Sequence, residues 1–310
     1  MTTTSFTEGL HAAEFLVSEG PGYFSRDAVT VASGQTLTAG AVLGKLTKRL
    51  AAAAIPTIVG TGTGLMSNLR FGASVQVGNY VVTLTETSAT AAFTVVAPDG
   101  TALPNGAVGT AYVSSHLSFS IANGGTMTTG DSYTVAVTAG GTPTVVGGTG
   151  TGTISAITLG RAAKNGSYRI INRAVVTNGG DFEIMDPDGI SCGRFLMGTG
   201  SGAAASWTSD QINFTLTDAT DFILGNYFEV IVATHTGQVK AFSPLAVDGT
   251  QDPIGILLAD VDASSTAKSG TAISRVAEID SNKLSWAATV TAAQKAVALT
   301  RLRALGVVAR

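Results

Sequence analysis

Two central segments of this 310-residue chain repeat one another, and this duplication constrains the fold more than any other feature of the sequence. Gly-Thr-Gly-Thr-Gly occurs at 60–64 and again at 148–152, and Pro-Asp-Gly occurs at 98–100 and again at 187–189. Further matches lie between and beyond these anchors in the same order. The middle of the chain therefore contains two copies of one structural unit.

Each copy has the pattern of antiparallel β-structure. Apolar and polar residues alternate, as at 80–85 and 133–137, so that one set of side chains faces a core and the other faces water. Pro-Asp-Gly closes a hairpin by local chemistry. About six short strands in roughly 90 residues are typical of a small sandwich. We therefore predict two inserted immunoglobulin-like (Ig-like) β-sandwich modules, at 55–143 and 144–235, with the Gly-Thr tracts as flexible module boundaries.

Composition supports a mostly β chain and excludes two classes of partner. Hydrophobic residues make up 45% of the chain, charged residues only 13%, and glycines number 38, a balance that favours short strands and tight turns. The formal charge of −3 offers no basic surface for nucleic acid or for an anionic membrane. The first basic residue is Arg26, and no apolar run is long enough to span a bilayer. We expect no nucleic acid, no membrane and synthesis in a host cytoplasm.

Motifs for catalysis and for metal binding are incomplete. The stretch 40–45 resembles a phosphate-binding loop but has one residue too few between its glycines. Asp-Pro-Asp-Gly at 186–189 begins like a calcium loop, yet Ile190 and Met197 stand where oxygen ligands belong. Three isolated histidines and the single Cys192 supply too few ligands for a zinc site. We predict no enzymatic activity, no cofactor and no metal.

The two flanks, 1–54 and 236–310, differ from the repeats in their sequence pattern, and neither has enough predicted elements to form a domain alone. They are therefore predicted to form one split domain. Near the C-terminus, Thr291 and Gln294 have the spacing of a capping box and mark the start of a helix. Trp286 precedes this helix and is predicted to anchor it on the core.

Blocks of residues in the flanks also carry a resemblance to a known family. The blocks are 15–19 with Tyr23, Ser25 and Arg26, then 34–44, then 253–258 with 261–263, then Trp286 with 291–295, and finally 305–307. In these blocks, and in their order, the chain resembles the head-decoration protein family typified by the small trimeric capsid-stabilising protein of phage lambda. The resemblance implies a split α/β decoration core that trimerises and sits at local three-fold positions outside an expanded capsid.

The resemblance also implies a docking segment and a partner, the phage major capsid protein. An N-terminal arm, residues 1–22, would become ordered on binding by adding as an extended strand to a sheet edge of the shell. Linking three such arms in a homotrimer would raise occupancy through effective concentration. The residues expected to contact the capsid from the arm and the start of the core are Phe6, Phe15, Leu16, Val17, Tyr23 and Arg26.

A second hypothesis assigns a further function to the inserted modules. Displayed on the virion, they would act as an adhesin that binds host-surface or environmental glycans. Sandwich folds serve many unrelated binding functions, so this hypothesis rests on fold-level analogy. Trp207, beside a glycine-rich loop, is the one aromatic residue placed to contact a sugar, although a core position is the simpler interpretation.

Overall fold

The computed structural model is mostly β with several sheets, which confirms the predicted fold class. The residues that it describes are 10–123, 127–140, 145–146, 152–198, 202–219 and 221–310. The chain divides into two compact units. The first unit joins both ends of the chain, Met1–Thr47 and Thr236–Arg310, and the second unit is Lys48–His235.

The N-terminal part of the first unit contains short strands and one helical turn. They are β1 (Leu16–Glu19), α1 (Gly22–Ser25), β2 (Arg26–Val31), β3 (Gln35–Leu37) and β4 (Val42–Lys45).

In the described residues of the second unit, all regular secondary structure is β-strand. The strands are β5 (Lys48–Ala53), β6 (Ile58–Val59), β7 (Met66–Phe71), β8 (Gly78–Leu84), β9 (Ala92–Val96), β10 (Ala102–Ala107), β11 (Tyr112–Val113), β12 (Leu117–Ile121), β13 (Ser132–Ala139), β14 (Val145–Val146), β15 (Thr153–Leu159), β16 (Gly166–Val176), β17 (Gly179–Met185), β18 (Ser191–Met197), β19 (Ala204–Trp207), β20 (Ile212–Thr217) and β21 (Tyr227–Thr234).

The C-terminal part of the first unit adds further strands and the longest helix of the described chain. Its elements are β22 (Val239–Ala241), β23 (Pro253–Leu257), β24 (Val261–Ala263), β25 (Lys268–Ile273), β26 (Ala277–Ile279), a 3₁₀ turn (Ser281–Lys283), α2 (Ala292–Ala304) and β27 (Val307–Ala309).

Both ends of the chain contribute strands to one closed barrel in the first unit. The barrel order is β2-β22-β4-β23-β25, and a small sheet, β1-β26-β27, lies beside it in the same unit. Helix α2 begins with a capping box: the backbone N–H of Thr291 donates to Oε1 of Gln294 at 2.9 Å, and Gln294 N–H donates back to the Thr291 hydroxyl. The helix buries Ala298 and Leu302 in the core of this unit.

One continuous eleven-stranded sheet organises the described part of the second unit. Its main path is β10-β9-β8-β13-β5-β21-β16-β17-β18, with β6 and β14 pairing beside it. Two further three-stranded sheets, β11-β12-β7 and β15-β20-β19, provide the second layers. The first repeat supplies one half of the long sheet and the second repeat the other, so the two repeats are fused rather than separate.

The cores of the two repeats lie on opposite faces of this shared sheet. In β21, Val230 and Val232 point into the core of the second repeat, while Ile231 and Ala233 point into that of the first. Successive side chains of a strand face opposite ways. A strand buried on both faces therefore has a continuous apolar run rather than an alternating one, which is what residues 230–233 show.

Strand β5 joins the two halves of the sheet, and here the structure differs from the predicted boundary at residue 54. Leu50 packs against the second core and Ala51 lies in the first. The strand pairs with β13 on one side and with β21 on the other. The prediction assigned residues 48–54 to the split flanking domain, whereas β5 belongs to the second unit, in which Ala51 is buried and Leu50 is half-buried.

Corresponding residues of the two repeats make corresponding contacts. Tyr80 and Tyr168 are fully buried, and the hydroxyl of each accepts the backbone N–H of the residue four positions earlier, Gln76 at 2.8 Å and Lys164 at 2.7 Å. Both rings fill the centre of their own core, where burial raises the pKa of each phenol to about 12. The duplication seen in the sequence is therefore preserved in the hydrogen-bonding pattern.

The first Gly-Thr tract is held in place, which corrects its interpretation as a flexible boundary. The buried carboxylate of Asp131 accepts the backbone N–H of Thr61 at 3.0 Å and of Gly62 at 2.8 Å. Gly60 has a positive φ of 137°, and a Cβ there would lie 1.9 Å from the Asp131 carboxylate, so glycine is required. The second tract at 148–152 lies almost entirely outside the described residues.

Candidate functional site

Phe15 is a core residue of the first unit, which corrects its predicted role as a capsid contact. Its side chain is only 1% exposed and packs with Ile279 and Leu302. Its carbonyl oxygen accepts the backbone N–H of Asp280 at 2.8 Å. An apolar residue buried in its own unit cannot also supply surface to a partner. Phe6 lies outside the described residues.

The described part of the predicted arm is folded onto the first unit. The backbone N–H of Ala13 donates to the carbonyl of Leu258 at 2.8 Å. Glu14 forms an ion pair with Lys283 at 2.6 Å, and this hydrogen bond lowers the pKa of the Glu14 carboxyl. Long-range contacts of this kind fix residues 10–22 before any partner is bound. A free arm, as predicted for 1–22, is therefore wrong for the described residues.

Strand β1 lies at the edge of its sheet. It pairs with β26 on one side, from Leu16 opposite Ile279 to Glu19 opposite Ala277, and no strand of the described chain pairs with its other side. An edge strand presents unpaired backbone donors and acceptors and can accept a strand from another chain. Leu16 is half-buried against the core, whereas Val17 points outward and is largely exposed.

Exposed apolar side chains lie on β1 itself, on the helical turn that follows it and on the loop before β26. Tyr23 is 90% exposed and Phe24 52% exposed on α1, and Val17 and Val276 are also exposed. The backbone N–H of Gly20 donates to the Val276 carbonyl at 2.8 Å, which holds the loop of Val276 against this segment. We call Val17, Tyr23, Phe24 and Val276 the N-terminal apolar surface. Adjacent exposed apolar residues are informative because they mark interaction surfaces.

Arg26 is paired within its own unit. Its Nε donates to Glu19 at 3.1 Å, and the Ser25 hydroxyl donates to the same carboxylate at 2.6 Å. Hydrogen bonds from Arg26 and then Ser25 lower the pKa of Glu19. Arg26 therefore braces the junction of β1 and α1, and its half-exposed guanidinium lies beside the N-terminal apolar surface rather than within a separate charged site.

The residues predicted to anchor the helix lie apart from β1 in sequence and pack within the same unit. Trp286 is half-buried against the core, where it meets the edge of Phe242 at 6.1 Å between ring centroids. Lys295 of α2 lies over the indole ring at 5.7 Å. Together with Thr291 and Gln294, Trp286 fixes the first turn of α2.

The sequence interpretation missed two members of the N-terminal apolar surface. Phe24 follows Tyr23 directly, so an aromatic pair in a polar stretch was the available signal. Val276 had no such signal, because it joins the surface through a hydrogen bond to a residue more than 250 positions away. The predicted interpretation of Trp207 as a core residue agrees with its half-buried position against Phe195.

A second candidate site, not signalled by any sequence motif, lies in the second unit. It is a cavity of about 160 Å³ lined by residues of β7, β16 and β17 and of the turn that follows β17. Three arginines line it: Arg70, Arg169 and Arg173. Among the described residues, no group of three or more His, Cys, Asp or Glu side chains could hold a metal ion.

Comparison with known proteins gives one match. The family model described as Bacteriophage lambda head decoration protein D matches residues 5–307. No curated protein and no solved structure matches the chain significantly. No described helix is both long and apolar enough to cross a membrane.

Proposed function

The chain belongs to the bacteriophage lambda head decoration protein D family, and from this premise we propose that it binds the phage major capsid protein as a homotrimer on the outside of the expanded head. The family is one of structural capsid proteins, and its role is decoration of the phage head. The virion capsid is therefore the location of the protein. Neither nucleic acid nor membrane is among the partners we propose.

We assign docking to the first unit. The observation that carries this proposal is the N-terminal apolar surface, whose residues belong to β1, α1 and the loop before β26, together with the free edge of β1. A strand of the shell protein added to that edge would gain backbone hydrogen bonds, and the exposed apolar side chains would give the contact specificity. Residues 1–9, which directly precede this region, would extend the contact. Phe6 keeps its predicted role within this segment.

Apolar burial and trimerisation together account for stable, non-covalent binding to the shell. Fully burying a side chain such as Phe24 contributes about 1.5–3 kcal/mol. Ordering entropy opposes this gain, so a single docking segment binds weakly. Three segments linked in one homotrimer bind with an avidity that can exceed the single affinity by about 10²–10⁴.

The experiment is co-sedimentation with expanded and unexpanded shells, together with light scattering of the free protein. We expect a trimer in solution or on the shell, and binding to expanded shells only. The variant Tyr23→Ser/Phe24→Ser should lose shell binding. Leu245→Ser is the matched control, because Leu245 is 84% exposed in the same unit but lies far along the chain from β1. A monomer that ignores expanded shells would contradict the proposal, as would equal loss in the control.

The second unit supports a second candidate function, display of a glycan-binding site. The specific observation is the arginine-lined cavity, which lies wholly within that unit. Small-molecule sites are concave, with apolar lining and a few placed polar groups. Removal of the second unit, residues 48–235, should then leave shell binding unchanged while abolishing adsorption to glycan-bearing surfaces. Unchanged adsorption would count against the adhesin function.

A further inference from the structure

The arginine-lined cavity lies where the two repeats meet. One wall is the end of β7, from the first repeat, and the floor is the face of β16, from the second. The backbone N–H of Phe71 donates to the hydroxyl of Ser167 at 2.9 Å, and this bond fixes the wall on the floor. Gly166 beside it admits no side chain, since a Cβ there would lie 3.3 Å from the Phe71 carbonyl and 2.7 Å from Pro187. The cavity is therefore built by tertiary contacts and is preformed.

The guanidinium groups of the cavity are not fully compensated. Arg173 pairs with Glu183 at 2.8 Å. Arg169, by contrast, is 4.0 Å from its nearest carboxylate, Glu229, and its buried Nε has no acceptor in the described chain. An unsatisfied buried donor carries a desolvation cost that an added acceptor would remove.

Arg70 adds a second positive charge to the same place. It is exposed at the rim and forms no ion pair with any described residue. Burial lowers the pKa of Arg169, and the charge of Arg70 lowers it further, so the two cations repel one another. Arg169 is held against this repulsion by stacking on Tyr227, with its guanidinium carbon 4.4 Å from the ring centroid. An anion between the two arginines would relieve the repulsion.

Asp186 also lines the cavity, but its carboxylate is already compensated by Lys164 at 2.6 Å and by the backbone N–H groups of Asp188 and Ile190. Apolar side chains form another part of the lining and limit the size of the ligand. Ile171, Met185 and Pro187 are half-buried and line the cavity together. A cavity of about 150 Å³ accommodates one benzene ring, and this one measures about 160 Å³. The space therefore matches one six-membered ring with a charged substituent.

We propose that this cavity binds a single uronic acid residue of a saccharide, with its carboxylate between Arg70 and Arg169 and its ring over Ile171, Met185 and Pro187. Arginine is well suited to carboxylates because its planar fork donates two parallel hydrogen bonds. The C–H face of the sugar ring covers the apolar lining, and the ring hydroxyls reach the exposed Arg173. The proposal rests on the second candidate function and is independent of capsid docking.

A saccharide suits the cavity better than an acidic side chain of a protein. A glutamate side chain would satisfy the arginines but would leave most of the apolar lining uncovered, because its stem is two methylene groups. A uronic acid satisfies both parts of the lining at once. Binding of an acidic peptide is therefore the alternative that the test must distinguish.

The test is titration of the whole 310-residue chain in solution, without capsids, by calorimetry and ligand-observed NMR. The probes are sodium D-glucuronate, D-glucose and N-acetyl-L-glutamate. We expect glucuronate to bind at least ten-fold more tightly than either of the others. Arg70→Gln should weaken glucuronate binding at least ten-fold. Arg194→Gln is the matched control, because Arg194 pairs with Asp181 on neighbouring strands of the same sheet but does not line the cavity.

A second variant separates the cavity from general attraction of anions. Met185→Trp fills the space and leaves every charge in place, so it should abolish glucuronate binding; circular dichroism checks that each variant is folded. Absence of glucuronate binding, equal binding by Arg70→Gln, or retained binding by folded Met185→Trp would each overturn the proposal. Equal or tighter binding of N-acetyl-L-glutamate would also overturn it, in favour of an acidic peptide. Because no shell is present, these outcomes leave capsid docking unaffected.

Discussion

The hydroxyl of Tyr80 lies 3.1 Å from Nδ1 of His116, at the corresponding place where Tyr168 of the second repeat donates to Oε1 of Gln211 at 2.7 Å. The Tyr168 hydroxyl accepts the N–H of Lys164 and donates to Gln211, and we assign the same roles to Tyr80, which accepts the N–H of Gln76 and donates to His116. In this assignment Nδ1 is the unprotonated nitrogen of the imidazole. A charged imidazolium would then place a donor against a donor.

This relationship predicts acid sensitivity of the first repeat. Burial lowers the pKa of His116 below 6.5, and the nearby charge of Asp99 only partly opposes this. The unfolded state therefore takes up a proton near pH 6.5 before the folded state does, so stability is full above that pH and is lost as pH falls through it. His116→Gln, which copies Gln211, should lose less stability than the natural chain between pH 7.5 and pH 5 in thermal unfolding. Equal losses would contradict the assignment.

The buried face of α2 predicts a large effect from a single residue. Leu302 is fully buried in the core of the first unit, so Leu302→Ala should lower the free energy of unfolding by about 2–5 kcal/mol. Val297→Ala on the same helix is the control, because Val297 is 56% exposed and its truncation should cost less than about 1 kcal/mol. Denaturant unfolding measures both. Similar effects of the two substitutions would argue against the packing of this helix.

Substitution of the glycine two residues before the buried tyrosine of each repeat should destabilise the protein similarly in both repeats. Gly78 and Gly166 have φ values of 132° and 123°, and a Cβ would lie 2.6 Å from Pro98 in one repeat and 2.7 Å from Pro187 in the other. Alanine at either position should destabilise the second unit by more than about 1 kcal/mol, since both strain and a clash oppose it. Gly198→Ala, where no atom lies within 4 Å, should be close to neutral. Thermal unfolding compares the three variants.

The ion pair at the Pro-Asp-Gly turn of the second repeat predicts unequal roles for two aspartates. Lys164 Nζ lies 2.6 Å from both Asp186 and Asp188, but only Asp186 is buried. Burial alone would raise the pKa of the Asp186 carboxyl. Hydrogen bonds from Lys164 and from backbone N–H groups outweigh burial, so the pKa of Asp186 is lowered. Lys164→Met should therefore destabilise the protein by about 1–3 kcal/mol, because it leaves a buried acceptor without its cation.

Asp188→Asn is the control for this ion pair, since the Asp188 side chain is 63% exposed and its pair with lysine is screened by water. We expect a change below about 1 kcal/mol in chemical denaturation. If Asp188→Asn proved as damaging as Lys164→Met, the burial of Asp186 would not be the cause.

Local patterns in the sequence were sufficient for the β-rich class and for the start of the C-terminal helix. Alternation and turn chemistry act over a few residues, and the Thr291–Gln294 box is a purely local signal. Local patterns could not predict that the two repeats share one sheet. Leu50 and Ala51 face different cores because of strands contributed from far along the chain.

The candidate sites depended even more on long-range contacts. The resemblance to the decoration family implied an arm at residues 1–22, and only the structure separates buried Phe15 from exposed Val17 two residues later. The cavity is assembled from Arg70 and Arg169, which belong to different repeats and carry no common motif. Their approach follows from the packing of β7 against β16, two strands of different sheets, and not from either neighbourhood in the sequence.

The pairing of Lys48 with Thr234 has a consequence for how such proteins diversify. The first and last strands of the second unit, β5 and β21, are antiparallel neighbours, so the two ends of the unit lie side by side. A domain whose termini are side by side occupies a single surface loop of its host, because the host's own strands need not separate to receive it. Evolution can therefore exchange, lengthen or discard the second unit while the barrel of the first unit stays intact.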